Sequence, residues 1–232
     1  MIAMSTALKM VKGNTVLFSE MTPPDGAEDA FNDWYDGHHS PSHVQGVPGF
    51  ISAMRYRSKL GPHYLAVYEL TGPEALEHEE YKKRKLTPDD PTYEMLQSVS
   101  GFTRYIANEA FIGERDDTPV MPLDAPVVLC LLFTVPMEAR GNFEEWYDTE
   151  HIPILLEDPD WLMVRRFDVI ESDPEPHTHL MLHYLNHERA LEGEAIKRAR
   201  STEWRARLAA EPWFAPMPVT YHRRNKRFLK SG

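Results

Sequence analysis

Apolar and polar positions alternate in a pattern that divides the chain into short strands and amphipathic helices. Thr15–Met21, Phe50–Arg57 and Tyr64–Leu70 are mainly apolar runs of strand length bounded by turn residues. Between the first two, Phe31, Trp34, Tyr35 and His38 fall at i, i+3, i+4 and i+7, which predicts a helix with one buried face. Pro41 is expected to end or kink that helix, because proline lacks an amide hydrogen and crowds the carbonyl one turn back. A polar helix over 73–85 and a strand over 102–112 complete the series. The series then repeats. Strands are expected at Val127–Val135, Trp161–Ile170, His179–Leu185 and 214–224, a helix stopped near Pro153, and a polar helix over 187–209.

The repeat extends to individual residues. Phe31, Trp34, Tyr35, Asp36, His39 and Pro41 reappear 112 positions later as Phe143, Trp146, Tyr147, Asp148, His151 and Pro153. Pro48-Gly49-Phe50 matches Pro159-Asp160-Trp161, Arg55-Tyr56 matches Arg166-Phe167, and YLAVYELTGPEALE (64–77) matches HLMLHYLNHERALE (179–192). The boundaries follow: a first repeat at 12–113, a linker at 114–124 that is charged, proline-bearing and without periodicity, and a second repeat at 125–229.

Each repeat reads β-α-β-β-α-β, the ferredoxin-like order. Such a unit covers one face of its antiparallel sheet with helices and leaves the other bare, so two units gain by pressing their bare faces together. The expected fold class is therefore α+β: two ferredoxin-like repeats whose sheets face each other, with a cavity between them. The W-Y-x-x-x-H-x-P segment, the P-G-F turn into R-Y, and Y-L-A-V-Y-E-L resemble the dimeric α/β-barrel superfamily, and within it the EthD-like proteins. The resemblance covers both repeats and implies a pseudo-dimer within one chain. It also implies that the family's recurrent histidine lies at His39 and His151.

Composition narrows the function. With 36 acidic against 25 basic side chains the net charge is −11, which argues against nucleic acid as a partner. No apolar run is long enough to cross a bilayer and no secretory leader is evident. The single cysteine, Cys130, sits within VVLCLLF and excludes a disulfide framework or a cysteine zinc site. A cytoplasmic protein acting on a small organic molecule is expected, with association into a homodimer left open.

The candidate chemistry is carried by histidine. His39 and His151 each follow a helix tyrosine by four residues and precede the Pro dipeptide, a place from which an imidazole reaches a cavity mouth. Asp36 and Asp148, three residues earlier, have the spacing to orient those rings. His38 adds a second imidazole in the first repeat, where the second has Glu150, and His43 is replaced by Leu155. His177, His179 and His183 share a strand face with even spacing, and Tyr64 and Tyr68 hold the places of His179 and His183. Tyr64, Tyr68, His179 and His183, with Trp34 and Trp146, are expected to line the substrate cavity. Arg55 and Arg166 are candidates to grip a carboxylate or phenolate, or else to pair across strands. No carboxylate accompanies the histidine strand and no haem motif is present, so neither metal nor cofactor is expected.

Barrel cavities of the resembled superfamily include those of isomerases, cyclases and EthD-like dehydratases or decarboxylases. The resemblance implies a cofactor-independent lyase or isomerase, with His39 as general acid or base, Asp36 as its orienting partner, and His151 and His38 as lesser candidates. Two alternatives stay open: a cofactor-free monooxygenase of phenolic substrates, and a non-catalytic small-molecule binder.

Overall fold

Eight antiparallel strands pair edge to edge until the last meets the first. The computed structural model describes residues 11–86 and 91–231. The first half contributes β1 (Thr15–Thr22), α1 (Glu28–Trp34), α2 (Ser40–Gly46), β2 (Phe50–Ser58), β3 (Tyr64–Leu70), α3 (Glu79–Leu86), α4 (Pro91–Ser98) and β4 (Ser100–Glu114). The second contributes β5 (Val127–Phe133), α5 (Met137–Trp146), α6 (Ile152–Leu155), β6 (Trp161–Asp173), β7 (His179–Leu185), α7 (Glu194–Arg200), α8 (Glu203–Ala209), β8 (Met217–Arg223) and a short β9 (Phe228–Leu229). The strand order β3-β1-β4-β6-β7-β5-β8-β2 closes through β2–β3, giving an α+β fold around a closed barrel.

The two seams between halves differ. Along one, β4 pairs with β6 from Arg104 to Glu114. Along the other, β8 meets β2 only over Tyr56–Ser58, and β9 resumes the pairing at Ser52 and Ala53. The residues between β8 and β9 turn aside, and Arg224 and Asn225 there bond Asp36.

Closure moves the cavities from where the pattern predicted them. The barrel interior is filled by Phe18, Tyr56, Leu65, Phe167, Leu182 and Tyr184 among others, and among the described residues the cavity beside Tyr56 and Tyr184 has only about 10 Å³, too little for a substrate. Eight strands leave room for side chains and little else. The end of the linker enters this core too, with Leu123 buried in it beside Ala125, the first residue of the second repeat. Leu180, Leu182 and Tyr184 point into the barrel, and His179 and His183, expected to line a cavity between the sheets, face the helices instead. The reason is that the interior takes the apolar set and the helices pack on the outer face. At one end the fully buried Arg165 of β6 bonds Glu69 of β3 and Glu109 of β4, each at 2.5 Å, which ties the halves by charge. Removing one member of such a network leaves a buried charge uncompensated, at a cost of about 3–5 kcal/mol.

The prolines do not stop the first helices. Between α1 and α2 the chain makes a π turn over Tyr35–His39, and between α5 and α6 another over Tyr147–His151. The wider turn admits the proline rings of Pro41 and Pro153, each near the start of the next helix, without a break. The extra residue also shifts the helix register, so His39 is buried and His38 exposed. The expected polar helix over 187–209 is interrupted at Ser201-Thr202, where the Thr202 hydroxyl caps α8 by accepting from Arg205 N. At the turn into β2, Gly49 has φ +86°, and a Cβ there would lie 2.6 Å from that of Ala75. The glycine is required by backbone sign and by space.

Candidate functional site

The two π turns build two matching half-sites on the outer face of the barrel. In the first, the His39 ring lies 4.5 Å from Trp34 and 4.7 Å from Tyr35. In the second, His151 lies 4.7 Å from Trp146 and 5.1 Å from Tyr147. Both imidazoles are buried beneath the helices.

The aspartates do not orient these rings. Asp36 accepts from Arg55 Nη1 at 2.5 Å and from Asn225 at 2.8 Å, and Asp148 receives Arg166 through Nε and Nη2 at 2.9 and 2.8 Å. The π turn directs the carboxylates toward β2 and β6, away from the imidazole that follows. Arg55 is fully buried, stacked 4.1 Å over Tyr35 and bonded to Asn32, and Arg166 also reaches Asp168 at 3.2 Å. Both arginines are thus structural clamps between helix and strand, the cross-element pairing, and neither lines a cavity that would take a substrate anion.

Next along the sheet, Tyr64 is held by Glu28 and by Asn32 at 3.0 Å, and its counterpart His179 by Glu144 at 3.0 Å and Thr178 at 2.8 Å. The exchange is paired: Asn32 with Tyr64 becomes Glu144 with His179. Neither Tyr64 nor His179 lines a cavity. Glu144, Asp168 and His179 cluster closely enough to hold a metal ion, but the Arg166 guanidinium stands among them, 3.2 Å from Asp168 and 3.9 Å from Glu144, and supplies the positive charge itself. His177 lies in the turn before β7, bonded to Thr134, so the three strand histidines do not converge.

The deeper part of each half-site decides what it can hold. In the first half, Tyr68 donates to Tyr35 at 3.3 Å, with Ser40 at 3.5 Å, and His43 Nδ1 bonds the His39 carbonyl at 2.8 Å. His43 is buried on α2 against Phe50, Tyr68 and Tyr81. These rings leave a cavity of only about 50 Å³, which His39 and Tyr68 line. Trp34 packs on His39 outside it, its indole N–H buried without a partner.

The second half holds a cavity of about 210 Å³, lined by Trp146, Tyr147, His151, Trp161 and His183 on the barrel side and by Ile196, Arg200, Arg205 and Phe214 over it. Trp161 Nε1 lies 3.2 Å from His183 Nδ1, and His183 Nε2 lies 2.7 Å from the Tyr147 hydroxyl. An indole only donates, so Nδ1 accepts, and the neutral ring carries its hydrogen on Nε2 and gives it to Tyr147. The Tyr147 hydrogen is thereby left for a ligand. Burial holds His183 well below its ordinary pKa and raises that of Tyr147, which keeps both neutral. Burial, with Arg205 and Arg200 nearby, also depresses His151 to about 3, against an opposing hydrogen bond to the Ala199 backbone. Its Nδ1 is buried without a partner, a bare acceptor on a ring of the cavity wall. The cavity is far too small for a porphyrin, and His183, the deepest imidazole, has both nitrogens engaged.

Of the residues singled out in the sequence, Trp146, His151 and His183 therefore meet in one cavity and His39 and Tyr68 in the other. Asp36, His38, Trp34, Tyr64, His179, Arg55 and Arg166 line neither. Tyr147 and Trp161 were visible in the repeat, since they replace Tyr35 and Phe50, but their bonds to His183 needed the fold. Arg200 and Arg205 lay in a helix that reads as a solvated polar face.

Comparison with known proteins adds a fold and no family. No family model matches the chain, and no curated protein matches it. Among solved structures, an anthrone oxidase-like protein superposes with a TM-score of 0.68 at 13% identity, covering 94% of each chain. Provisionally named monooxygenases from Lactobacillus acidophilus (TM-score 0.57, 8% identity, 94% and 97% coverage) and Fusobacterium nucleatum (0.58, 8%, 96% and 97%) follow. The likeness is one of fold, to proteins of oxidase and monooxygenase name, and none of the three bears the EthD name. It corrects the lyase or isomerase expectation: these three structures bear oxidase and monooxygenase names and none is named a lyase or isomerase.

Proposed function

We propose that this protein is an enzyme that adds dioxygen-derived oxygen to an electron-rich phenolic aromatic in the second-half cavity. The observation that carries the reading is the fixed Trp161–His183–Tyr147 relay, which presents one oriented hydroxyl donor to an apolar, aromatic-walled cavity. The names of the structures that share the fold support the same reaction class. A cavity near 150 Å³ takes benzene, so about 210 Å³ admits two fused rings, with any third ring towards the mouth.

Anthrone-type substrates need no external reductant, because R₂CH₂ + O₂ gives R₂C=O + H₂O. The substrate loses its acidic C–H proton to solvent and enters the cavity as its enolate; the carbanion reduces O₂ and the C–O bond forms. The resulting peroxide anion takes a proton from solvent at the cavity mouth, then loses its remaining C–H proton to solvent as the O–O bond breaks, and the hydroxide released forms water with that proton. Tyr147 donates to the oxygen that bears the enolate charge, and such a preorganised donor lowers the barrier by about 3–4 kcal/mol. His151 stays neutral and contributes its ring to the cavity wall. The aromatic walls keep bulk water from the carbanion.

The chain's history and setting are part of the proposal. The matched half-sites support a fused tandem of ferredoxin-like repeats standing in for a dimer, and the W-Y-x-x-x-H-x-P segments support kinship with EthD-like chains. A lone buried Cys130 supports a reducing, cytoplasmic location, and no helix among the described residues is long and apolar enough to cross a membrane. The test is oxygen uptake with hydroxyanthrones and hydroxynaphthalenes, under ¹⁸O₂. One labelled atom in the product, lost in Tyr147→Phe, is the expected result. No uptake across both series overturns the reading.

A further inference from the structure

Arg200 and Arg205 stand over the second-half cavity with no acid to answer them. Several other arginines of this half have one: Arg166 has Asp148, Arg165 has Glu69, Arg189 has Asp160 and Arg198 has Glu157; Arg140, Arg207 and Arg223 also form no ion pair among the described residues, but none of them lines this cavity. Among the described residues neither Arg200 nor Arg205 forms an ion pair, in a chain with 36 acidic side chains and a net charge of −11. The two are close. Arg205 Nη1 lies 3.4 Å from the Arg200 carbonyl, and its guanidinium sits 5.5 Å over the Phe214 ring, a wall of the cavity. Arg205 is half-buried, and its loss of water and the charge of Arg200 both weigh against its cationic form. The break between α7 and α8 at Ser201-Thr202 brings the pair together, since it turns α8 so that Arg205 lines the same cavity as Arg200. Two unanswered guanidinium groups above aromatic walls are a poor arrangement for an empty surface and a good one for an aromatic anion.

We infer that Arg200 and Arg205 form an anion-recognition site at the cavity mouth, which selects substrates that carry negative charge on the aromatic frame. The inference rests on the cavity chosen for the oxygenase reading but not on turnover. Its ligand chemistry is an aromatic oxyanion, either a carboxylate on the ring system or an ionised ring hydroxyl. Burial is the main reason that His151 stays neutral beside the pair, and the two guanidinium charges act in the same direction.

Binding of 2-naphthoate, neutral 2-naphthamide and 2-naphthol, read by titration calorimetry and by quenching of tryptophan emission, tests this without oxygen chemistry. At low salt 2-naphthoate is expected to bind about tenfold more tightly than the amide, about 1.4 kcal/mol, with the preference shrinking as salt rises. Arg205→Gln and the double Arg200→Gln/Arg205→Gln variant are expected to abolish the preference and keep amide binding. Arg207→Gln, which faces a different surface recess, is expected to leave it intact. A preference for naphthol only at pH values where it ionises assigns the site to a ring oxyanion, and a preference for naphthoate at neutral pH assigns it to a carboxylate. Equal binding of naphthoate and naphthamide, a preference that survives the double substitution, or no binding of any probe overturns the inference. Oxygen uptake without charge preference sinks this site alone, and charge preference without oxygen uptake sinks the oxygenase reading alone.

Discussion

The two half-sites start from the same residues and end as different objects. Both have the π turn, the stacked Trp-His pair and the Asp-Arg clamp. Beneath that shared frame, Phe50, Tyr68 and Tyr81 of the first half become Trp161, His183 and Ile196 of the second. In the first half Tyr81 and His43 fill the space, and the cavity is about 50 Å³. In the second, an aliphatic Ile196 stands where Tyr81 would, Leu155 replaces His43 in the core, and about 210 Å³ stays open. The frame is therefore what the fold needs, and the exchanged residues are what a ligand needs. A residue present in both halves, such as His39 or His151, is for that reason weaker evidence of chemistry than one that differs.

The largest effect should come from closing the open half. Ile196→Tyr is expected to abolish substrate binding and oxygen uptake while preserving the fold by circular dichroism. Tyr147→Phe removes only the donor, and uptake should fall about 10²–10³-fold with little change in binding. Tyr68→Phe, its partner's counterpart in the filled half, should leave uptake within about twofold. Equal losses in Tyr147→Phe and Tyr68→Phe would erase the distinction between the halves.

The clamps offer a comparison in stability. Asp36→Ala strips the fully buried Arg55 of its carboxylate and leaves it Asn32 alone, a loss of about 3 kcal/mol, tempered from the usual 3–5 because Asp36 is partly exposed. Asp148→Ala leaves Arg166 with Asp168 at 3.2 Å and Glu144 at 3.9 Å, so about 1–2 kcal/mol is expected. Urea denaturation of the two variants at pH 7 measures both; a larger loss at Asp148 would contradict the assignment.

Acid should separate wild type from a second-half variant. His151 has its pKa pushed down to about 3 by burial, so the unfolded chain binds a proton between that value and about 6.5 that the folded chain refuses. Stability is then complete above about pH 6.5 and declines as pH falls towards 3, by on the order of 1–2 kcal/mol between pH 7 and 5 for this ring. His183 and His179 are shifted in the same direction by burial and add to the slope. His151→Phe should flatten the pH dependence of the melting temperature between pH 5 and 7, and an unchanged slope would show that the ring is hydrated.

The internal repeat, the succession of strands along the chain and the correspondence of His39 with His151 were legible in the sequence, because residue identities at fixed spacing carry that information. The sequence misplaced the cavity because whether facing sheets enclose space or fill it depends on side-chain volumes summed across eight strands. It gave the wrong partner to Asp36 because i, i+3 spacing assumes an α-helix, and the π turn at Tyr35–His39 adds a residue. The same added residue exposes His38, which a period of 3.6 had placed on the buried face. The Trp161–His183–Tyr147 relay joins positions far apart in the chain, and only the pairing of β6 with β7 brings Trp161 near His183. The barrel face of His179 and His183 was decided by closure, since the pattern alone shows that alternate residues separate and not which set goes inside.

The smallest expected effect is also the most direct reversal of the comparison. Tyr81→Ile copies the second half into the first and removes a ring that packs on Phe50 and His43. Truncation of this kind costs about 1–2 kcal/mol when the neighbours relax, so the variant should fold. If ring volume is what separates the halves, the enlarged first cavity should accept a small apolar probe such as indole, and titration should show a second site per chain, weaker than the first. It should gain no oxygen uptake, because Tyr68 and Phe50 cannot reproduce the relay that an indole donor and an imidazole make with Tyr147. A Tyr81→Ile chain that binds one probe only would mean that His43, rather than Tyr81, fills the first half, and Tyr81→Ile/His43→Leu would then be needed to open it.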